Sequence, residues 1–377
     1  MIKKEEIKKK KKYLLKRLQE PISKVERNNL TASLASLIIL ENENEKLYNV
    51  KLVGILDSLT KNKYTLNKEK RFEARFEGLL EETAPFVNDE YLSFLLQLTL
   101  NINTMNIEYE DDASELALVN ISDHDKVELS RKFYRSLGNR DIQSQAERIL
   151  DDPSHYDFID TNIRHNDLLY GVTIFDWYFK KPYIYARRLG NLFGCQVFNH
   201  EIMHGVDFYS RPRNFGAEYY GFEEIPTYTI DYLFLDFLEM MGYDPAQVDA
   251  LRRKKHQFTW IIARYKIIDE INHRLIRMCR KNIKNATFAD IKKVMNDNIL
   301  VSMIELESCV IAHHLYGRMH YNLQQGLNDL ITIMQTKLPK NKIPDFSFIG
   351  LDQKRLLETS RELGMLGHHI EDIEQSK

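Results

Sequence analysis

Helix breakers are scarce in this chain. Its 377 residues hold only 9 prolines and 15 glycines, and the intervals between them place apolar residues three and four apart, the repeat that lines one face of an α-helix. A mainly α fold is expected. From residue 1 to about 150 the pattern is helical throughout, with breaks expected at Pro21, near Asn62, at Pro85 and around Gly138. Between Asp151 and Tyr185 the texture changes: Tyr170, Val172, Ile174, Phe175, Tyr178, Tyr183 and Ile184 gather around Gly171 and Pro182, which predicts one small sheet.

Helical patterning resumes near Tyr185 and runs to about Tyr209, then from Pro226 to Gly242. Asp244 before Pro245 reads as an N-cap and first-turn pair opening a long helix to about Lys281. Thr287 with Asp290 reads as a capping box, and a further apolar helix is expected from Asn298 to Tyr316, with Gly317 and Gly326 as punctuation after it. Pro339 and Pro344 mark a loop before a short terminal helix. The chain thus divides into a helical part over 1–150, a part carrying the chemistry over 151–345, and a helical tail over 346–377, expected to form one compact unit.

Charge and cysteine content narrow the function classes. The 53 basic and 55 acidic side chains nearly cancel to −2, so no global field draws the chain to nucleic acid. Cys195, Cys279 and Cys309 are an odd set at spacings unlike a disulfide framework or a paired-cysteine zinc site, which suits a reducing compartment. No apolar stretch directly follows the lysine run (Lys3, Lys4, Lys8 to Lys12), so no signal peptide is expected. The window Leu30 to Leu40 is about half a bilayer span and runs into Glu41, Glu43 and Glu45, so no membrane span is expected. A cytoplasmic location is expected, with non-classical secretion left open.

One pentapeptide carries chemistry: His200, Glu201, Ile202, Met203, His204. On a helix, residues four apart differ by about 40° around the axis, so His200 and His204 offer two imidazoles to one zinc ion. Glu201 stands beside them, where a carboxylate can act as general acid and base in peptide hydrolysis. The flanks Leu192, Phe193, Val197, Phe198, Val206 and Phe208 are apolar on nearly every side, as for a helix sunk in the protein.

A catalytic zinc takes a third protein ligand and keeps one position open. The best downstream candidate is Glu224: in a helix starting there, Glu224, Thr227, Tyr228 and Asp231 share a polar face opposite Ile230, Leu233, Phe234, Phe237 and Leu238. Glu223 is the alternative, about 100° away. Asp231, two turns on, could bond the free nitrogen of a ligating histidine, and Asp207, on the face of His200 and His204, is a second candidate for that supporting role.

The residues His200 to His204, then Glu224, Ile225, Pro226, Thr227 and Asp231, resemble the thimet oligopeptidase and oligoendopeptidase F group of zinc peptidases. The spacing departs from that group, Glu224 following His204 by only 20 residues, and Asp231 stands where Glu is usual. The resemblance implies a zincin-type helical metallopeptidase with a deep cleft, a small sheet bordering the zinc helix, one Zn2+ per chain and a peptide or protein substrate. It also implies oxyanion donors in the cluster His313, His314, Tyr316, His320, Tyr321, where His313, Tyr321 and Gly326 fall in step with that group's His, Tyr and Gly. His204, Gly205, Val206 and Asp207 are faintly similar to lethal-factor-like zinc proteases, so a toxin-like protease with one protein substrate stays open. A catalytically silent interaction protein on the same scaffold is the alternative from another class, with the retained Glu201 against it. A zinc hydrolase for a non-peptide bond is a third.

Overall fold

The computed structural model describes residues 4–41, 88–103, 120–159, 170–212, 222–338 and 342–374. The breaks expected near Asn62 and at Pro85 lie outside them. The chain begins with α1 (Lys4–Arg17) and α2 (Lys24–Glu41), followed by α3 (Asp89–Ile102), α4 (Asp123–Ser136) and α5 (Arg140–Leu150). Asn88, Ser122 and Asn139 cap α3 to α5 by accepting from backbone N–H groups of their first turns, which satisfies donors that a helix start leaves without partners.

Three strands follow, β1 (Tyr156–Ile159), β2 (Gly171–Asp176) and β3 (Lys181–Arg187), in the order β1-β3-β2. β1 runs parallel and β2 antiparallel to β3. Gly171 lies opposite Ala186, Thr173 opposite Ile184 and Phe175 opposite Pro182. Because the Arg187 amide donates to the Tyr170 carbonyl, the alternation of an antiparallel ladder turns the backbone groups of Gly171, Thr173 and Phe175 away from β3, toward the edge that no strand among the described residues covers.

The remainder is α6 (Leu192–Ser210), α7 (Glu224–Met240), α8 (Pro245–Ile261), a π-helical stretch over Ile262–Asp269, α9 (Glu270–Cys279), α10 (Phe288–Val294), α11 (Asp297–Tyr321), α12 (Leu323–Gln335) and α13 (Gln353–Glu374). The long helix expected after Asp244 is therefore continuous but carries a π turn. The helix expected to stop at Tyr316 runs on to Tyr321, with Gly317 inside α11 and Gly326 inside α12. A glycine inside a helix costs only about 1 kcal/mol, and at Gly326 a Cβ would come within 2.3 Å of the Met319 Cγ, so its small size is what lets α12 fold back on α11. The terminal helix, expected to be short, spans 22 residues.

The sheet has an apolar cluster on each side. Val172, Ile174, Tyr183 and Tyr185 meet Ile7, Leu14, Leu30, Leu34 and Leu37 of the α1–α2 hairpin in a small core. The opposite face, which carries Ile184 and Ala186, joins the main core, where α6, α7 and α11 bury Phe198, Met203, Phe234 and Val310 among others. α11 is the one described helix long and apolar enough to cross a membrane (mean hydropathy 1.3 over its best window), yet 67% of that window is buried in the protein. The core accounts for its apolarity.

Candidate metal centre

α6 starts at the Asn191 cap and packs along the sheet through Phe198, Glu201, Gly205 and Phe208. From its middle turns His200 and His204 project together, their rings 5.0 Å apart. α7 opens at Glu224, so that carboxylate enters from a helix start beside them. Glu224 Oε2 lies 3.4 Å from His200 Nε2 and Oε1 lies 3.6 Å from His204 Nε2. One donor atom from each of the three falls within 4.8 Å of the others. Donors held about 2.1 Å from a tetrahedral ion are about 3.4 Å apart, so the set fits a single small cation. It is Glu224 and not Glu223 that joins the histidines.

Behind the donors a chain of contacts fixes them. His200 Nδ1 lies 3.2 Å from Asp231 Oδ2, two turns along α7 from Glu224, and donating there leaves Nε2 free to bind a cation. Lys255 of α8 donates to the same Oδ2 at 2.7 Å and sits 3.6 Å from the centre of the Tyr228 ring, which in turn packs 5.6 Å from the His200 ring. Burial alone would depress the His200 imidazole, but Asp231 and Glu224 outweigh it and raise it to about 10. Burial pushes His204 down to about 4 against the pull of Glu224, and Glu224, despite burial, is drawn to about 2 by the two histidines. Three groups competing for charge in this way are what a divalent cation would relieve.

Glu201 faces the sheet. Thr173 donates its hydroxyl to Glu201 Oε2 at 2.7 Å and to the Glu201 carbonyl at 3.0 Å. Gly171 lets the strand close on the carboxylate: a Cβ there would sit 2.7 Å from both Cγ and Oε1 of Glu201. Burial lifts this carboxyl to about 7, against the opposing effects of His200 and Thr173, which is the range in which a side chain both takes and returns protons near neutrality.

The comparisons with known proteins are sparse. No protein-family model matches the chain, and no curated protein does. Among solved structures it is similar to a protein from Bacillus anthracis str. Ames assigned as oligoendopeptidase F, at 14% identity and a TM-score of 0.49, over 92% of this chain and 64% of that one. A protein from Chlamydophila abortus assigned as a peptidase gives 11% identity and a TM-score of 0.45, over 97% of this chain and 62% of that one. The chain thus spans under two thirds of either protein's length, and a likeness at these values speaks to neither activity nor ligand.

The other residues singled out from sequence lie elsewhere. Asp207 is buried on α6 and accepts two bonds from Arg211. His313 packs on the Tyr232 ring, about 12 Å along α7 from Glu224. His320 stands 4.0 Å from Asp236 and meets the Tyr316 ring edge-on, while Tyr321 ends α11 at 94% exposure. His314 is half-buried near Arg318, Arg355 and Asp329, and burial holds its imidazole low, at about 4. None of His313, His314, His320 and Tyr321 joins the His200, His204 and Glu224 donors. Residues that sequence reading passed over come closer: Thr173, Lys255, and Glu305 of α11, which accepts from the Tyr228 hydroxyl at 3.1 Å and pairs with Lys266 from the π turn. π turns are frequent at functional sites, and this one, over Ile262–Asp269, carries Lys266 to Glu305.

Proposed function

We propose that the protein is a zinc-dependent metallopeptidase in which His200, His204 and Glu224 hold one ion per chain and Glu201 is the general base. The observation that carries the reading is the convergence of two imidazole nitrogens and one carboxylate beside a buried, hydrogen-bonded glutamate. Two histidines and a glutamate are a donor set of catalytic zinc sites. A zinc ion held there supplies Lewis acidity to the scissile carbonyl and makes water acidic enough to attack near neutral pH.

Everything else falls to the chain's own groups. Glu201, steadied by Thr173, receives the proton of the attacking water at its carboxylate and delivers it to the departing nitrogen. Asp231, itself anchored by Lys255, keeps the His200 proton on Nδ1. The free edge of β2 offers backbone groups of Gly171 and Thr173 next to Glu201, so an extended peptide can add there as a strand. Free cysteines suit a reducing, cytoplasmic setting.

Zinc content and cleavage of a mixed peptide library, compared between the wild-type chain and Glu201→Gln, test this. The substitution keeps the ligands and removes the base, so zinc near one per chain is expected in both and cleavage in the wild type alone. Zinc-free wild-type protein, or cleavage undiminished in the variant, would overturn it.

A further inference from the structure

The free edge of β2 is not open along its whole length. Near its far end α2 lies against it. Ser36 Oγ donates to the Phe175 carbonyl at 2.6 Å, and Ser33 Oγ accepts from the Tyr178 amide at 2.6 Å. Leu34 and Leu37 of the same helix pack with Val172 and Ile174 on one face of the sheet, while Ala32 reaches Trp177 and the α6 residue Phe208, with Phe175 packed alongside. α2 therefore contacts both sides of the strand and occupies the one outward carbonyl beyond Thr173. Among the described residues nothing pairs with the backbone of Gly171 and Thr173 on that edge.

We propose that α2 is a stop for the substrate peptide, making the protein a peptidase that removes short pieces from amino termini. The inference rests on the peptidase function proposed for the His200, His204 and Glu224 site. Glu201 is hydrogen-bonded to Thr173, so the bond being cut lies beside Thr173, and Phe175 is two residues further along the strand. At roughly 3.3 Å per residue, an added strand has room for about two residues before it meets Ser36. Antiparallel pairing, the more stable geometry, runs the peptide from the Phe175 end toward Gly171, which puts its amino terminus against α2. The carboxyl side, leading past Gly171, meets no such barrier among the described residues.

The test uses the full-length, zinc-loaded protein and a peptide ladder with one fixed central sequence, lengthened residue by residue at either end, with cleavage positions read by mass spectrometry. Cuts are expected to stay about two residues from the amino terminus, moving with that terminus as it is extended, and to be indifferent to additions at the carboxyl end. The double variant Ser33→Ala, Ser36→Ala removes the hydroxyls that bind α2 to Phe175 and to the turn after β2, and is expected to cut amino-terminally extended peptides at more internal bonds several-fold faster than wild type, at an unchanged zinc content. Internal cleavage of long peptides by the wild type, or cuts tracking the carboxyl end, would overturn the stop and leave the peptidase standing. No cleavage of any peptide would remove both.

Discussion

Replacing Gly171 by alanine puts the base, and little else, under stress. The new Cβ would lie 2.7 Å from Cγ and Oε1 of Glu201, and ordinary carbon contacts start near 3.5 Å, so the carboxylate or the strand must give by roughly 0.8 Å. The strand is held: its ladder with β3 is on one side and the small α1–α2 core on its face. The carboxylate is therefore what moves, and with it goes the 2.7 Å bond from Thr173. A displacement of about 1 Å in a reacting group costs on the order of 100-fold in rate, whereas the three atoms nearest the new methyl group all belong to Glu201 and none to a ligand. Steady-state kinetics on the best library peptide should show kcat down by roughly 10- to 100-fold with KM and zinc content close to wild type. A fall in zinc content would mean that the strand shift reaches the ligands. An unchanged kcat would refute the placement of Glu201 as the base.

Two further outcomes concern buried carboxyl groups. Asp231→Asn weakens the acceptor that fixes His200 and leaves Lys255 buried without its counter-charge, so zinc affinity in a chelator competition should fall about 10- to 100-fold, and an unchanged affinity would show that Asp231 does not orient the ligand. Glu307, fully buried on α11 and bonded to the Tyr91 hydroxyl, is pushed by burial to about 8; the folded protein thus keeps a proton that the unfolded chain releases, and the associated stability is complete below about pH 4.5 and lost as pH climbs to 8. Glu307→Gln abolishes that loss, so urea melts should show the variant gaining on wild type by roughly 1 kcal/mol per pH unit across this window, and parallel pH profiles would contradict the assignment.

How much of the molecule is legible in its sequence depends on whether a residue's role is local. His200, Glu201 and His204 share one helix, and Glu224 and Asp231 another, so spacing alone places them on common faces. The capping box at Thr287 and Asp290 and the proline-led start of α8 are likewise short-range, and both form. Thr173 is invisible because its partner is 28 residues away and a strand threonine has no periodicity to betray it. Lys255 lies in the run Arg252, Arg253, Lys254, Lys255, which reads as a solvated face; only the packing of α8 on α7 turns its last member inward. The histidines after residue 312 are located by similarity of order, but where their side chains point depends on how α11 lies against α7, which no single-helix pattern encodes.

The sheet is shared by two cores of unequal size, and that division bears on how the molecule opens. The α1–α2 hairpin is held by its own apolar cluster, by the Lys10 contacts to Tyr183 and Asp176 and by the two serine tethers, while the ligand helices α6 and α7 belong to the larger core. Elements with fewer buried contacts exchange their amide protons through smaller, more frequent openings. Hydrogen exchange should accordingly find α1 and α2 the quicker pair, and during each such excursion the Phe175 carbonyl loses Ser36 while His200, His204 and Glu224 stay assembled. The length limit on the substrate and the chemistry that acts on it would then be governed by separate cooperative units of one chain.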